Sequence, residues 1–334
     1  MKKIIAIIFL FSINSYSQIG GESIYNFLNL TGSARQASLG GKTLTLFDDV
    51  NQASWNPSII GDGINNKISI NYLNYLADIN MTSVSYSSEI FGYNFYTGIT
   101  YLNYGNFIGA NESGEETGSF KAYDMAFTLG YSYQVLNSNV FVGANIKFIN
   151  SVIENYSSLG IGGDLALLYL DEEKPYAFTL GIRNIGYQIT VFDEKREKLP
   201  WQIDLGASYN LENVPITWHF TMDNLQKWKL AYSNPSNSVT DIDGNETIEN
   251  ISFFNNALRH FAIGAEIFPK GTFNIRLGYN FRRSKELQLI DKRTFSGFTG
   301  GFGIKMNKFK FNYAFSKFHT ASNSSTFSLQ INLN

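Results

Sequence analysis

From about residue 66 onward, apolar and polar residues alternate one by one, and this period of two constrains the fold more than any other feature. Phe327, Leu329, Ile331 and Leu333 alternate with Ser328, Gln330 and Asn332. Phe273, Ile275, Leu277, Tyr279 and Phe281 alternate with Asn274, Arg276, Gly278, Asn280 and Arg282. Met125, Phe127, Leu129, Tyr131 and Tyr133 oppose Asp124, Ala126, Thr128, Gly130 and Ser132, and Phe309, Phe311, Tyr313 and Phe315 oppose Lys310, Asn312 and Ala314. Successive side chains of a strand point to opposite faces, so each segment has one apolar and one polar face. A sustained helical period is absent from this region.

Fourteen such segments lie near 66–76, 80–90, 92–106, 117–135, 138–150, 158–171, 175–187, 200–211, 214–224, 257–269, 271–283, 296–306, 307–317 and 323–334. Most suit the roughly 9–11 residues of a tilted membrane strand. The count is even, as in bacterial single-chain outer-membrane barrels. Short connections near 91–92, 136–137, 172–174, 212–213, 270 and 307 alternate with longer ones at 107–116, 151–157, 188–199, 225–256 and 284–295. The turn near 77–79 is the exception. Short turns at one end and long loops at the other are the pattern of a transmembrane barrel. The expected fold is all-β: a 14-stranded antiparallel transmembrane β-barrel with periplasmic termini and extracellular long loops.

Lys147, Arg183, Asp204, Glu266, Arg276 and Lys305 fall on the polar faces. A Lys or Arg at the bilayer midplane costs about 2–4 kcal/mol, so these faces belong in the lumen. Composition agrees. Charged residues make up 16% of the chain, aromatic residues 16%, and mean hydropathy is -0.13. A disordered chain would be more charged, and no run of about 20 apolar residues exists to form a membrane helix. The net charge of -2 lacks the basic excess of a nucleic-acid binder. With no cysteine there is neither a disulfide framework nor a thiolate metal site.

Residues 1–17 read as a secretory signal: Lys2 and Lys3, the apolar run Ile4 to Phe11, then Ser15 and Ser17 before a cleavage point near Gln18. Residues 18–65 lack the alternation. They are punctuated by Gly20-Gly21 and Gly40-Gly41, with a short helical turn expected around Phe27, Leu28 and Ala34. This segment is expected to fold inward as a plug or hatch, with Asp48, Asp49, Asn56 and Pro57 capping or turning the chain. Residues 66–334 form the barrel.

The runs GGESIYNFLNL at 20–30, SARQASLGG at 33–41 and ASWNPSII at 53–60 resemble the PorV/PorQ branch of the FadL-like barrels, components of the type IX secretion system of Bacteroidota. Asn56-Pro57 resembles the NPA-type element of the N-terminal hatch in that family, with Ser58 in place of the alanine. The resemblance extends over the chain in length and strand count, but its specific motifs lie within 20–60, and the length matches the shorter members. It implies a plugged fourteen-stranded barrel. It also implies membership of a cell-surface attachment complex with the sortase PorU, PorV and a PorZ-like surface protein, the last engaging anionic lipopolysaccharide.

Catalytic chemistry has little support in the sequence. His219, His260 and His319 are scattered without metal-ligand spacing, and isolated lumen or loop histidines are the expectation. The stretch 241–246 places glycine at the fourth position rather than the sixth of a calcium loop, so a solvated turn is expected. GFTGGFG at 297–303 lies inside an alternating strand with no following helix, which rules against a phosphate cradle and points to a bend or close plug contact. The charged run 193–198 reads as a solvated loop face. The long loop 225–256 carries Trp228, Tyr232, Ile248, Phe253 and Phe254, aromatic and aliphatic groups suited to a partner-docking surface, or else to packing over the barrel mouth. The expected function is a non-enzymatic scaffold that anchors a surface partner and needs no cofactor or metal. A FadL-like transporter of small hydrophobic compounds is the alternative.

Overall fold

The computed structural model describes residues 23–136, 138–231, 239–240, 246–247, 251–287, 295–319 and 322–333. Fourteen antiparallel strands close into one barrel. They are β1 (Lys67–Leu76), β2 (Ile79–Ile90), β3 (Tyr93–Ala110), β4 (Glu116–Gln134), β5 (Val140–Ile153), β6 (Tyr156–Leu170) and β7 (Tyr176–Thr190). The second half comprises β8 (Gln202–Asn210), β9 (Ile216–Met222), β10 (Phe261–Ile267), β11 (Phe273–Asn280), β12 (Phe298–Met306), β13 (Phe309–Ser316) and β14 (Ser324–Asn332). Each strand pairs with its sequence neighbours, and β1 closes on β14 from Lys67↔Asn332 to Asn74↔Ser325. All fourteen alternating segments are barrel strands. A minimal hairpin, Val239–Thr240 with Glu246–Thr247, stands apart in the longest loop.

The alternation sorts side chains between two environments. Ile70, Tyr72, Ile99, Leu129, Ile146, Phe148, Leu165, Leu180, Phe220, Leu277 and Phe327 are exposed on the outer wall. Their neighbours Ser69, Asn71, Thr128, Lys147, Asp164, Thr179, Arg183, Asp204, Glu266, Arg276 and Ser328 are buried on the inner face. A soluble protein rarely exposes an apolar patch beyond a few hundred Å². An apolar belt around a closed barrel is the outside-in arrangement that lipid requires.

The wall is uneven. Strands β3 to β7 have 14–19 residues, whereas β8 to β14 have 7–9. Two helices occupy the loop end on the short side: α1 (Phe253–Leu258) leads into β10, and α2 (Phe281–Glu286) follows β11. Phe281 and Arg282 continue the alternation of β11 in sequence but are helical in the fold. The Asn280 side chain accepts a hydrogen bond from Arg283 N at 2.9 Å and so starts the helix. The connection expected over 151–157 is much shorter, because β5 and β6 run on to Ile153 and from Tyr156 with only Glu154 and Asn155 between them. Glu154 takes φ 56° to make that turn. At the opposite end, Phe91 and Gly92 have φ 54° and 80°, the two positive values of a type I′ hairpin.

Candidate functional site

The site is assembled from the segment before β1. Its sequence breaks into short turns because capping side chains recur where apolar runs are brief. Ser33 caps a one-turn helix at Ala34–Ser38. Asp49 accepts from Asn51 N and starts a 3-10 turn at Val50–Ser54, and Asn56 accepts from Ser58 N with Pro57 at the first position of the next. Asp49 and Asn56 thus cap their local turns, and Pro57 opens the second. Asp48 differs: its carboxylate is turned away from the local turn toward Arg35 and Lys310.

These turns touch inner faces all round the barrel. Ala34 N donates to Ser328 on β14 at 2.8 Å, and Asn51 Nδ2 donates to Ser69 on β1 at 2.9 Å. Asn56 Nδ2 reaches Thr179 on β7 at 3.2 Å, and Asn145 on β5 donates to Ala53 O at 2.9 Å. Gly40 N donates to Thr299 on β12 at 2.9 Å. Tyr25 Oη and Ser158 Oγ on β6 share a bond of 2.5 Å. Such polar partners satisfy backbone groups that water cannot reach.

Apolar packing follows the same pattern. Ile24, Tyr25 and Phe27 join Leu73, Met81, Leu102 and Ile149, while Val50, Ala53, Ile59, Ile60 and Ile64 join Tyr96, Leu168 and Ala177. Full burial of one aliphatic side chain of this size is worth about 1.5–3 kcal/mol. Two glycines set the closest approaches. A Cβ on Gly143 would lie 2.2 Å from the Pro57 carbonyl carbon, and one on Gly278 would lie 2.1 Å from Gly40 N. The glycine-rich run at 297–303 serves the same contact: a Cβ on Gly301 would come within 2.7 Å of Ser38 Cβ.

Buried charge ties the segment down. Arg35 donates to both Glu266 oxygens, from Nε at 3.1 Å and Nη2 at 2.8 Å, and Arg276 Nε donates to the same carboxylate at 2.7 Å. Glu266 is 1% exposed and Arg276 0%. Arg35 also meets Asp48, whose other oxygen accepts from Lys310 Nζ at 3.0 Å. Asp48 is itself about half exposed; partial desolvation works to raise its carboxyl, but Arg35 and Lys310 outweigh it and hold it well below the usual carboxylate range. On the far wall, Lys147 pairs with Asp164 at 2.8 Å and Arg183 with Asp204 at 2.7 Å, and the Arg183 guanidinium sits 4.0 Å over the Trp55 ring. The inward placement of these four charged strand residues matches the alternation. Lys305 is on the inner side too but stands exposed at the barrel mouth.

A cavity of about 640 Å³ remains at the short-turn end, lined by Phe47, Ile59, Ile60 and Leu168 together with Asp48 and His219. His219 Nδ1 is 2.9 Å from Thr45 Oγ1. The two ring nitrogens of His260 face the carbonyl oxygens of Asp223 and Trp228 at 2.6 and 3.0 Å, which fastens the root of the longest loop. His319 is exposed in the last loop. Among the described residues no three His, Asp or Glu side chains converge as metal ligands.

At the loop end, Trp228 stacks on His260 at 4.9 Å and lies 5.5 Å from Phe253. Phe253 and Phe254 are 74% and 70% exposed. The structure thus brings Trp228 and Phe253 together, with Phe254 next in α1. Tyr232, Ile248 and the stretch 241–245 lie outside the described residues, as does the expected signal at 1–17. Sequence reading missed Asn256, whose buried amide binds Leu230 N, Ala231 N and Trp228 O to fold the loop root. An asparagine inside an apolar helix is the signal that pointed to it. It also missed Arg35, a lone arginine among small residues in a segment that must be enclosed.

The fold and its lumen define a transmembrane β-barrel of the outer-membrane type with its own N-terminal segment against the inner wall. No protein-family model matches the chain, and no curated protein does. Among solved structures, KdgM porin is similar at 7% identity, with 80% of this chain and 99% of that one covered and a TM-score of 0.36. The Acinetobacter baumannii outer membrane protein Omp33 is similar at 6% identity, with 80% and 96% covered and a TM-score of 0.37. Outer membrane phospholipase A from Escherichia coli covers 89% of this chain at 10% identity, with 98% of its own length covered and a TM-score of 0.28. These likenesses carry no argument about function.

Proposed function

We propose that this chain is a PorQ-type component of the type IX secretion system: a plugged, non-enzymatic outer-membrane barrel that anchors a PorZ-like protein at the cell surface, beside PorU and PorV. The observation that carries the reading is the clamp on the N-terminal segment. Glu266, buried toward the short-turn end of the lumen, is shared by Arg35 of that segment and Arg276 of the wall. Breaking such a pair costs about 3–5 kcal/mol, which favours a static plug over a gate that opens each cycle. On this reading the termini and short turns face the periplasm. The loop end, with Trp228, Phe253 and Phe254, faces outward and offers aromatic groups to a partner or to lipopolysaccharide. Affinity capture of the tagged chain from native outer membranes tests the proposal. Recovery of a large surface protein, lost when residues 236–250 are deleted, is the expected result. Unchanged recovery from a normally assembled deletion variant refutes loop docking.

A FadL-like transporter is the second reading, favoured by the apolar side of the 640 Å³ cavity, where Phe47, Ile59, Ile60, Leu168 and Leu170 converge. An ordered acyl or detergent tail at those residues in a solved structure would support it.

A further inference from the structure

A second cavity, of about 240 Å³, opens at the short-turn end between the segment before β1 and the edge of the wall. Lys67, Lys270, Lys305, Lys308 and Lys310 line it, with Asp48 as the single acidic residue among the described ones. That carboxylate already serves Arg35 and Lys310. Lys270, Lys305 and Lys308 have no acidic partner among the described residues. Lys67 donates to the Asp48 and Gly63 carbonyls, which leave its charge uncancelled.

The placement of these lysines is unfavourable for a sheet on its own. Lys305 and Lys310 are direct cross-strand partners on the inner face of β12 and β13. Like charges in that relation are destabilising. The next strands continue the row, with Gln330 opposite Lys310 and Asn332 opposite Lys67. Outward-snorkelling lysines would explain a basic rim by contact with lipid headgroups, but this row faces the lumen. Its partner must therefore enter the mouth.

The donor set indicates the class of partner. Among the described residues, every cation that lines the cavity is a lysine. A phosphate group carries about -1.5 to -2 charges at pH 7 and three acceptor oxygens, more than one carboxylate offers, which suits several clustered lysine point charges. We propose that this mouth binds a phosphate-bearing anion between Lys305, Lys310 and Lys67, with Lys270 and Lys308 at its edge. The site is independent of any assignment to a secretion system.

Calorimetric titration of the full chain in a non-ionic detergent tests this with two probes, inorganic pyrophosphate and short-chain phosphatidic acid. The comparison variants are Lys305→Gln/Lys308→Gln and, at the opposite end of β4, Lys121→Gln. Saturable pyrophosphate binding that weakens at least tenfold in the paired variant, weakens with added salt and is unchanged in Lys121→Gln supports a free phosphate anion. The same loss seen with phosphatidic acid alone supports a lipid headgroup. If the paired variant folds poorly, Lys305→Arg is expected to keep the affinity that Lys305→Gln loses. Absence of saturable binding by both probes, retention of affinity without the lysines, or binding of polyglutamate alone overturns the proposal.

Discussion

Replacing Glu266 by Gln removes one negative charge from between two buried guanidinium groups. Glu266 accepts three charge-assisted hydrogen bonds, at 2.7, 2.8 and 3.1 Å, and is 1% exposed. The amide oxygen of Gln still accepts from one arginine, but its NH₂ group then faces another donor. Arg35 retains Asp48, and Arg276 retains Asn312 at 3.0 Å. These contacts place the loss near the lower end of the cost of breaking a buried pair, about 3 kcal/mol, or roughly a hundredfold in the folding equilibrium. Guanidinium unfolding of the detergent-reconstituted barrel, followed by tryptophan fluorescence, measures it. Removing the charge of Arg35 as well, as Arg35→Gln/Glu266→Gln, is expected to recover part of the loss, since one of the two uncompensated cations is gone. A single-variant loss below about 1 kcal/mol, the range of exposed pairs, would refute the buried clamp.

Gly278→Ala forces a Cβ to within 2.1 Å of the Gly40 backbone nitrogen; a loss of about 1–3 kcal/mol is expected in the same unfolding assay. Asn56→Ala removes a cap and the bonds to Leu44 O and Thr179, with at least the roughly 0.5–2 kcal/mol of a lost cap expected. Leu129→Arg sets a charge on the exposed outer face and is expected to cost about 2–4 kcal/mol of barrel stability in lipid vesicles. Asp48 supplies a pH dependence. Its folded carboxyl lies well below the ordinary value near 3.8, so its contribution is complete above about pH 4 and falls away as pH drops through the folded value. The stability gap between the parent and Asp48→Asn should accordingly narrow on acidification below about pH 4, as measured by unfolding midpoints.

What was legible in the sequence follows from the range of the interactions involved. The alternation is local, and lipid on one side enforces it, so Phe327 outside and Ser328 inside are readable from adjacent residues. The turns at Asp49 and Asn56 are also local, each set by a side chain bonded two residues ahead. The Arg35 to Glu266 pair spans 231 positions, and no periodicity encodes which strand faces which turn. Phe281 and Arg282 show the converse case. Their alternation suits a strand, but the Asn280 cap and the end of lipid-facing wall let a helix form there. Within 151–157, Ser151 is a buried, lumen-facing strand position bonded to Asp124, Glu154 and Asn155 make a two-residue turn, and Ser157 is an exposed position of β6.

We propose that the segment before β1 is a fixed plug. Conductance of the purified full chain in a planar bilayer tests it most directly, against a variant lacking residues 23–65 whose β-sheet content has been verified by circular dichroism. The intact chain should insert without open-channel current, and the deletion variant should conduct. Steady ohmic current through the intact chain, equal to that of the deletion variant, would contradict the claim.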